Sequence, residues 1–485
     1  MPNGIILLGL GPGDPDLLTR QAWNLLESLP EIYLRTRQHP AVAGLPANLQ
    51  VYTFDHLYEA RTSFDAVYAE IVEQVLALGR RPQGVVYAVP GHPFIAEATA
   101  PDIARRAKEE GLPVSVVDGI SFLETTYAAL GLDPLPHTAL VDAFELLTAH
   151  TPRFPPDIPA LVAQVYSAEV AADVKLTLME VYPDDHPVRL VHGAGTAGCQ
   201  VETLPLHAID RSGLIGLLTT LYVPPLGPAT SFESFQEVIA HLRAPEGCPW
   251  DREQTHLTLR PYLLEETYEV LAALDDEDPE ALREELGDLL LQVVLHAQIA
   301  NEDGEFRMAD VIQGIHTKLV RRHPHVFSDT QVDGVDHVLR NWEALKAQER
   351  KKKDQKEKKS ALDGIAPALP ALSQAQEFQR RAARFGFEWP ELRQVIEKVL
   401  EEFAEVQQAE ENDRRAEEVG DLLSAVANLA RHFQVDAESA LRQANQRFRQ
   451  RFNFIEAQAE AQGRQLADLS KDELLALWEQ AKREL

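Results

Sequence analysis

Apolar residues change their spacing once along this chain, and the change divides it. From Gly4 they come as short unbroken runs closed by glycine or proline: GIILLGLGPG, GVVYAVPGHPF (Gly84 to Phe94), PVSVVDGISF (Pro113 to Phe122), PALVAQVYS (Pro159 to Ser167) and PVRLVHGAG (Pro187 to Gly195). Such runs predict buried strands, and the helical stretches between the early ones predict an α/β domain with a mainly parallel sheet over residues 1–223. The turn-rich PPLGPAT (Pro224 to Thr230) closes that domain. Beyond it, Leu, Val and Ala recur every three or four residues, which predicts two all-α units at 228–346 and 374–485. A charged linker at 347–373, containing RKKKDQKEKK, is expected between them.

In the helical region the same order of acids occurs twice. Glu265, Glu266 and Glu269 in LLEETYEVL precede Glu285 and Asp288 in REELGDLLLQVV; Glu401, Glu402 and Glu405 in VLEEFAEV precede Glu418 and Asp421 in EEVGDLLSAV. Residues three or four apart share a helix face, so two such helices packed as an antiparallel hairpin would bring four or five carboxylates to one spot. Acid strings on helices are usually solvated faces, but these are interleaved with apolar runs and so border a core. Like charges held that closely need neutralising, and clustered hard oxygen ligands select Mg²⁺ or Mn²⁺. The expected metal ligands are therefore Glu402, Glu405, Glu418 and Asp421 in the second unit, and Glu266, Glu269, Glu285 and Asp288 in the first, with Glu401 a further ligand or a supporting acid.

The repeat extends past the acids. Lys318 and Arg322 lie four apart, as do Trp342 and Lys346; Arg447 and Arg451, then Trp478 and Lys482, repeat that spacing in the second unit. Paired cations on one helix face suit phosphate oxygens, and Trp offers a stacking surface for a base. Arg414 is a further phosphate candidate just ahead of the second ExxD segment.

Composition narrows the partners. The net charge of −30 over 485 residues argues against nucleic-acid and membrane-surface binding and fits a collector of cations. Two cysteines, Cys199 and Cys248, stand in no ligand-like spacing, which excludes a disulfide scaffold or a cysteine zinc site. The opening MPNGIILLGLG lacks the basic start and cleavage site of a signal peptide, and no apolar run approaches a membrane span. A cytoplasmic protein is expected.

GCPWDREQTHLTLRPYLLEETYEV, RRHPHVF and DLLSAVANLARHF resemble segments of the MazG family of nucleoside triphosphate pyrophosphohydrolases, and the resemblance runs from Gly227 to Leu485 as a tandem pair. It implies an all-α fold whose bundles form at a dimer interface, hence a homodimer or higher homo-oligomer. It also implies Mg²⁺-dependent cleavage of nucleoside triphosphates between the α and β phosphates, serving to house-clean nucleotide pools. In that chemistry Glu401, Glu402, Glu405, Glu418, Asp421, Arg447 and Arg451 carry catalysis. Arg414, Arg447, Arg451, Trp478 and Lys482 hold substrate, with Lys318, Arg322, Trp342 and Lys346 as the first unit's counterparts. The pair Arg414 and Arg415 precedes the second ExxD segment where the first unit has Ala281, Leu282 and Arg283, so the second unit is expected to be the main catalyst.

At the other end, glycines Gly9, Gly11 and Gly13 after the first run allow close backbone approach, and Asp14 can cap the next helix. GLGPGDPDLLT, YAVPGHPF and VDGISFLETTYAALGL together resemble successive motifs of the tetrapyrrole methylase family, and the whole chain resembles the YabN-type architecture. The resemblance implies S-adenosylmethionine bound by Gly9, Gly11, Gly13, Asp14, Pro90, Gly91 and Ser121. Many of those methylases carry GDP where this chain has Gly91-His92-Pro93; that departure leaves cofactor binding as the expectation and counts against methyl transfer. Two rival readings are a regulatory protein sensing nucleotide and S-adenosylmethionine, and a methyltransferase with a helical dimerisation region.

Overall fold

The first apolar run becomes β1 (Ile5–Gly9) of a five-stranded, wholly parallel sheet with β2 (Glu31–Leu34), β3 (Gln50–Thr53), β4 (Val85–Val89) and β5 (Val114–Val117), in the order β3-β2-β4-β1-β5. This is a computed structural model, and it describes residues 4–60, 63–328, 330–335, 337–338, 341–342, 345 and 360–484. Alternate residues of each strand feed opposite layers, as the two-residue period of a strand requires. Ile5, Leu7, Val85, Tyr87 and Val89 pack on α2 (Phe64–Gly79) and α3 (Thr99–Glu109), whereas Leu8, Ile32, Leu34, Val86 and Ala88 pack on α1 (Arg20–Ser28). Burying each such aliphatic side chain contributes roughly 1.5–3 kcal/mol. After β5, α4 (Phe122–Leu130) begins at Ser121, whose hydroxyl caps it by accepting from the Leu123 amide.

A second five-stranded sheet follows: β6 (Ala139–Asp142), β7 (Ala160–Ala163), β8 (Pro187–His192), β9 (Gln200–Pro205) and β10 (Thr219–Val223), ordered β6-β7-β10-β8-β9. Only β6 and β7 pair in parallel, so the mainly parallel expectation holds for the first sheet and is corrected for the second. The reason is local: β8 and β9 are joined by a short glycine-containing turn, which permits an antiparallel pair and leaves no room for a crossover helix. Helices α5 (Ala143–Leu147) and α6 (Ala168–Met179) cover this sheet, with Val162, Val174, Leu178, Leu190 and Leu221 at its core.

The glycine turn after β1 is held by protein. A Cβ on Gly9 would lie 2.5 Å from the Gly119 nitrogen and 2.6 Å from the Gly91 oxygen. One on Gly13, where φ is +155°, would meet the Thr196 methyl at 2.5 Å. Gly11 and Gly91 exchange backbone hydrogen bonds, and the Asp14 amide donates to Gly195 at 2.7 Å. These glycines therefore let loops from both sheets close on one another. Asp14 caps the next turn, accepting from the Asp16 amide, as its position predicts.

Two compact units result, Met1–Glu253 and Gln254–Leu485. The division falls later than the helical onset expected at 228, because α7 (Phe232–Arg243) is fastened to the second sheet's layer: Ser231 and Ser234 both donate to the Asp157 carboxylate. The second unit is helical, built from α8 (Arg260–Asp275), α9 (Pro279–Glu302), α10 (Met308–Arg322), α11 (Ala371–Ala383), α12 (Leu392–Gln408), α13 (Asn412–His432), α14 (Ala437–Ala461) and α15 (Lys471–Glu484). No helix among the described residues is long and apolar enough to cross a membrane.

Because the atoms facing Gly9 are backbone and cannot swing away, Gly9→Ala should destabilise the N-terminal unit by about 1–3 kcal/mol or more. Scanning calorimetry should show that unit's transition lowered; an unmoved transition would count against this packing role.

Candidate metal centre

Each acid set sits on a helical hairpin whose turn is written in the sequence. Asp278 caps α9, its Oδ1 accepting from the Glu280 and Ala281 amides at 3.0 and 3.1 Å, and Pro279 follows at the first helical position. That stop and restart folds α9 back on α8. In the second hairpin, α13 returns along α12 after a three-residue link at 409–411.

The hairpins bring the carboxylates together. Oxygens of Glu266, Glu285 and Asp288 lie within 4.8 Å of one another, and so do those of Glu402, Glu418 and Asp421. The first trio is half-buried throughout; in the second, Glu402 is only 6% exposed while Asp421 is open to solvent. Glu269 hydrogen-bonds Glu266, and Glu405 hydrogen-bonds Glu418, so a fourth acid adjoins each trio. Burial, then the charges of Asp288 and Glu269, raise the Glu266 carboxyl above its ordinary range. Burial and the neighbouring acids do the same to Glu285 and Glu405. An all-oxygen donor set strained by its own charge fits a hard divalent cation.

The two sets differ in their cations. Lys398, one turn ahead of Glu402 on α12, places Nζ 2.7 Å from Glu402 Oε1 and 3.0 Å from Glu401 Oε1. Those bonds raise the ammonium above its ordinary value. Its register position in the first unit is Tyr262. Sequence reading missed Lys398, although the Lys-to-Glu spacing of four residues was there to find. Arg414 reaches Glu418 at 3.5 Å, while Arg415 turns to the Ala409 carbonyl. Beside Glu402 and Asp421 opens a cavity of ≈ 170 Å³, walled by Trp389, Val395, Lys398, Ser424, Ala425 and Asn428.

The basic and aromatic candidates make contacts among themselves. Arg451 stacks its guanidinium on Trp478 at 5.7 Å, and Arg322 stacks on Trp342 at the same distance. Trp478 also meets Phe448 at 5.0 Å and packs on the α14–α15 core of Ile455, Ala459 and Leu469, while Lys482 pairs with Glu479. Each Trp thus offers a face to its own arginine. Among the described residues, Arg447, Arg451, Lys482 and Lys318 make no hydrogen bond or ion pair with the carboxylate trios of their own chain. Lys346 lies outside the described residues.

In the N-terminal unit, Gly91 takes φ +67° with open space where a Cβ would project, and His92 Nε2 lies 3.2 Å from Asp118 Oδ1. Pro90 is half-buried beside them. Ser121 is buried and committed to its helix cap and to Glu124.

Paired acid trios on helical hairpins behind a parallel-sheet α/β unit define a protein of two distinct regions, and comparison with known proteins accounts for both. Residues 254–327 match the MazG nucleotide pyrophosphohydrolase domain, and residues 4–210 match the tetrapyrrole (corrin/porphyrin) methylases. Similar over the full length is the uncharacterised protein YabN of Bacillus subtilis, 42% identical across 99% of both chains. The nucleoside triphosphate pyrophosphohydrolase/pyrophosphatase MazG of Thermotoga maritima is 45% identical over 52% of this chain and 95% of its own length; for the nucleoside triphosphate pyrophosphohydrolase of Escherichia coli K12 the figures are 47%, 51% and 95%. The chain belongs to the MazG family in its YabN-like form, with a tetrapyrrole methylase domain ahead of the MazG region.

Because Glu266, Glu285 and Glu405 hold protons more tightly folded than unfolded, the metal-free protein loses stability as pH rises through their raised pKa values. A cation must displace those protons to bind. Millimolar Mg²⁺ should therefore raise the unfolding temperature more at about pH 8 than at about pH 5; an equal shift at both would contradict a carboxylate site.

Proposed function

We propose that the helical unit is a Mg²⁺- or Mn²⁺-dependent nucleoside triphosphate pyrophosphohydrolase that cleaves between the α and β phosphates, releasing nucleoside monophosphate and pyrophosphate and so clearing nucleotide pools. The observation that carries this reading is the pair of carboxylate trios, each within 4.8 Å, on equivalent hairpins. Glu402, Glu418 and Asp421 would hold the ion in the second hairpin, and Glu266, Glu285 and Asp288 in the first. An ion held there would supply charge neutralisation for phosphate oxygens and acidify a water for attack. Glu405, whose raised pKa brings it nearer neutrality, accepts the proton from the attacking water. Lys398 and Arg414, already against the acids, meet the charge that grows on the departing pyrophosphate. The cytoplasm, where nucleotides are made and spent, is its proposed location.

This reading also places the basic pairs. Since Arg447 and Arg451 do not reach their own chain's trios, we assign their phosphate contacts, and any stacking on Trp478, to sites completed by a second copy. Leu286, Leu290 and Val293 form an exposed stripe on α9, and Val419, Leu423 and Val426 repeat it at the same register on α13. Apolar stripes repeated beside both acid sets are surfaces for covering by another copy of the chain. For the N-terminal unit we propose S-adenosylmethionine binding at the Gly91 to Asp118 edge, where open space and exposed polar groups lie, and not at the filled Gly9 to Gly13 turn.

Loss of one transition-state contact of this kind commonly costs about a hundred- to a thousandfold in rate. Glu402→Ala and Asp421→Ala should each reduce monophosphate and pyrophosphate release by that much, whereas Glu266→Ala and Asp288→Ala should leave most turnover. Orthophosphate as first product, or full activity in excess chelator, would overturn the reaction. Leu423→Glu should shift light-scattering mass toward the monomer; an unchanged mass would remove α13 from the interface.

A further inference from the structure

The two acid sets are alike, but the walls beside them differ. Aligning the ExxD segments puts Gln292 of the first unit at the register of Ala425 and Leu295 at that of Asn428. Ala425 and Asn428 line the second unit's cavity beside Asp421, so the corresponding face of α9, one turn beyond Asp288, borders the first unit's metal trio. There Gln292 is 5% exposed and its Oε1 accepts no hydrogen bond among the described residues. A buried acceptor left unsatisfied is destabilising, and it has a use where a ligand supplies the missing donor. One turn further along, His296 Nδ1 contacts His256 Nδ1 at 2.8 Å, and its Nε2 is likewise buried without a partner. In the second unit the unpartnered glutamine oxygen is Gln379 Oε1, contributed by α11, whose Nε2 is tied to Ser424.

We propose that Gln292 is a specificity-determining residue of the first unit: its side-chain amide reads an N–H edge of the nucleobase, and the first unit thereby selects a different set of bases from the second. The proposal rests on the reading of the trios as nucleotide sites. Gln292 acts on the base and not on the triphosphate, which the acids and their metal hold. Polar groups placed on different walls, α9 in one unit and α11 with Asn428 in the other, present different hydrogen-bonding edges to the same nucleotide body. A site built to pair a base rejects one that leaves its polar groups unpaired, and that asymmetry is what turns an orphaned amide into selectivity.

The test uses the full-length chain carrying Glu402→Ala and Asp421→Ala, so that the first unit is read alone. Binding of α,β-methylene analogues of ATP, GTP, CTP and UTP, and of inorganic triphosphate, is measured with Mg²⁺ by calorimetry. The expected result is a spread of affinities among the four bases that Gln292→Met, close in volume, narrows by about tenfold while triphosphate affinity stays put. Gln292→Ala, the second unit's own side chain at this register, should narrow it likewise, which separates hydrogen bonding from packing. An unchanged spread, no spread before substitution, or an equal loss for triphosphate would overturn the proposal. Failure of triphosphate to bind this chain while binding the unsubstituted one would overturn the nucleotide reading of the first unit itself.

Discussion

Mutual repulsion among carboxylates is the constraint that the helical unit is built around. Glu266, Glu285 and Asp288 could each avoid the others by turning to water, but the hairpin of α8 and α9 fixes them on facing surfaces within 4.8 Å. The Asp278 cap and Pro279 set the turn that brings them there. Burial, and after it the charges of neighbouring acids, raises the carboxyls of Glu266 and Glu285. A set of oxygens crowded in this way fits a hard dication by packing as much as by ligand chemistry.

The tandem units share one feature and differ in those around it. Both keep the acid trio, three hard oxygens within 4.8 Å. Around the trio, Lys398 faces Tyr262 in register, Ala425 faces Gln292, and Asn428 faces Leu295. Charge and hydrogen bonding beside the trios differ between the units while the trios themselves do not.

Much of this was legible in the sequence because it depends on short spacings. VVYAV, closed by glycine and proline, reads as a buried strand, and acids three apart on apolar helices converge once the hairpin forms. Features set by distant partners were not legible. Gly9 looked like a ligand-binding glycine, but Gly91 and Gly119 fill the space beside it. Trp478 looked like a base platform, but Arg451 covers a face of it. The contact of His256 with His296 joins a loop to the far turns of α9, and no local pattern announces it. β8 and β9 pair antiparallel because of the short turn between them, which apolar runs alone do not encode. Lys398 is the opposite case, a residue whose contact with Glu402 follows from plain helical spacing.

That lysine also bears on how the chain carries its own charge. With its ammonium lodged against Glu401 and Glu402, the second hairpin holds an internal counter-ion. The first hairpin has a tyrosine at that register, and burial and neighbouring acids raise Glu266 and Glu285 there. One chain therefore holds two acid sets of unequal charge compensation, one with a cation of its own helix built in beside it and one with an aromatic ring in that place.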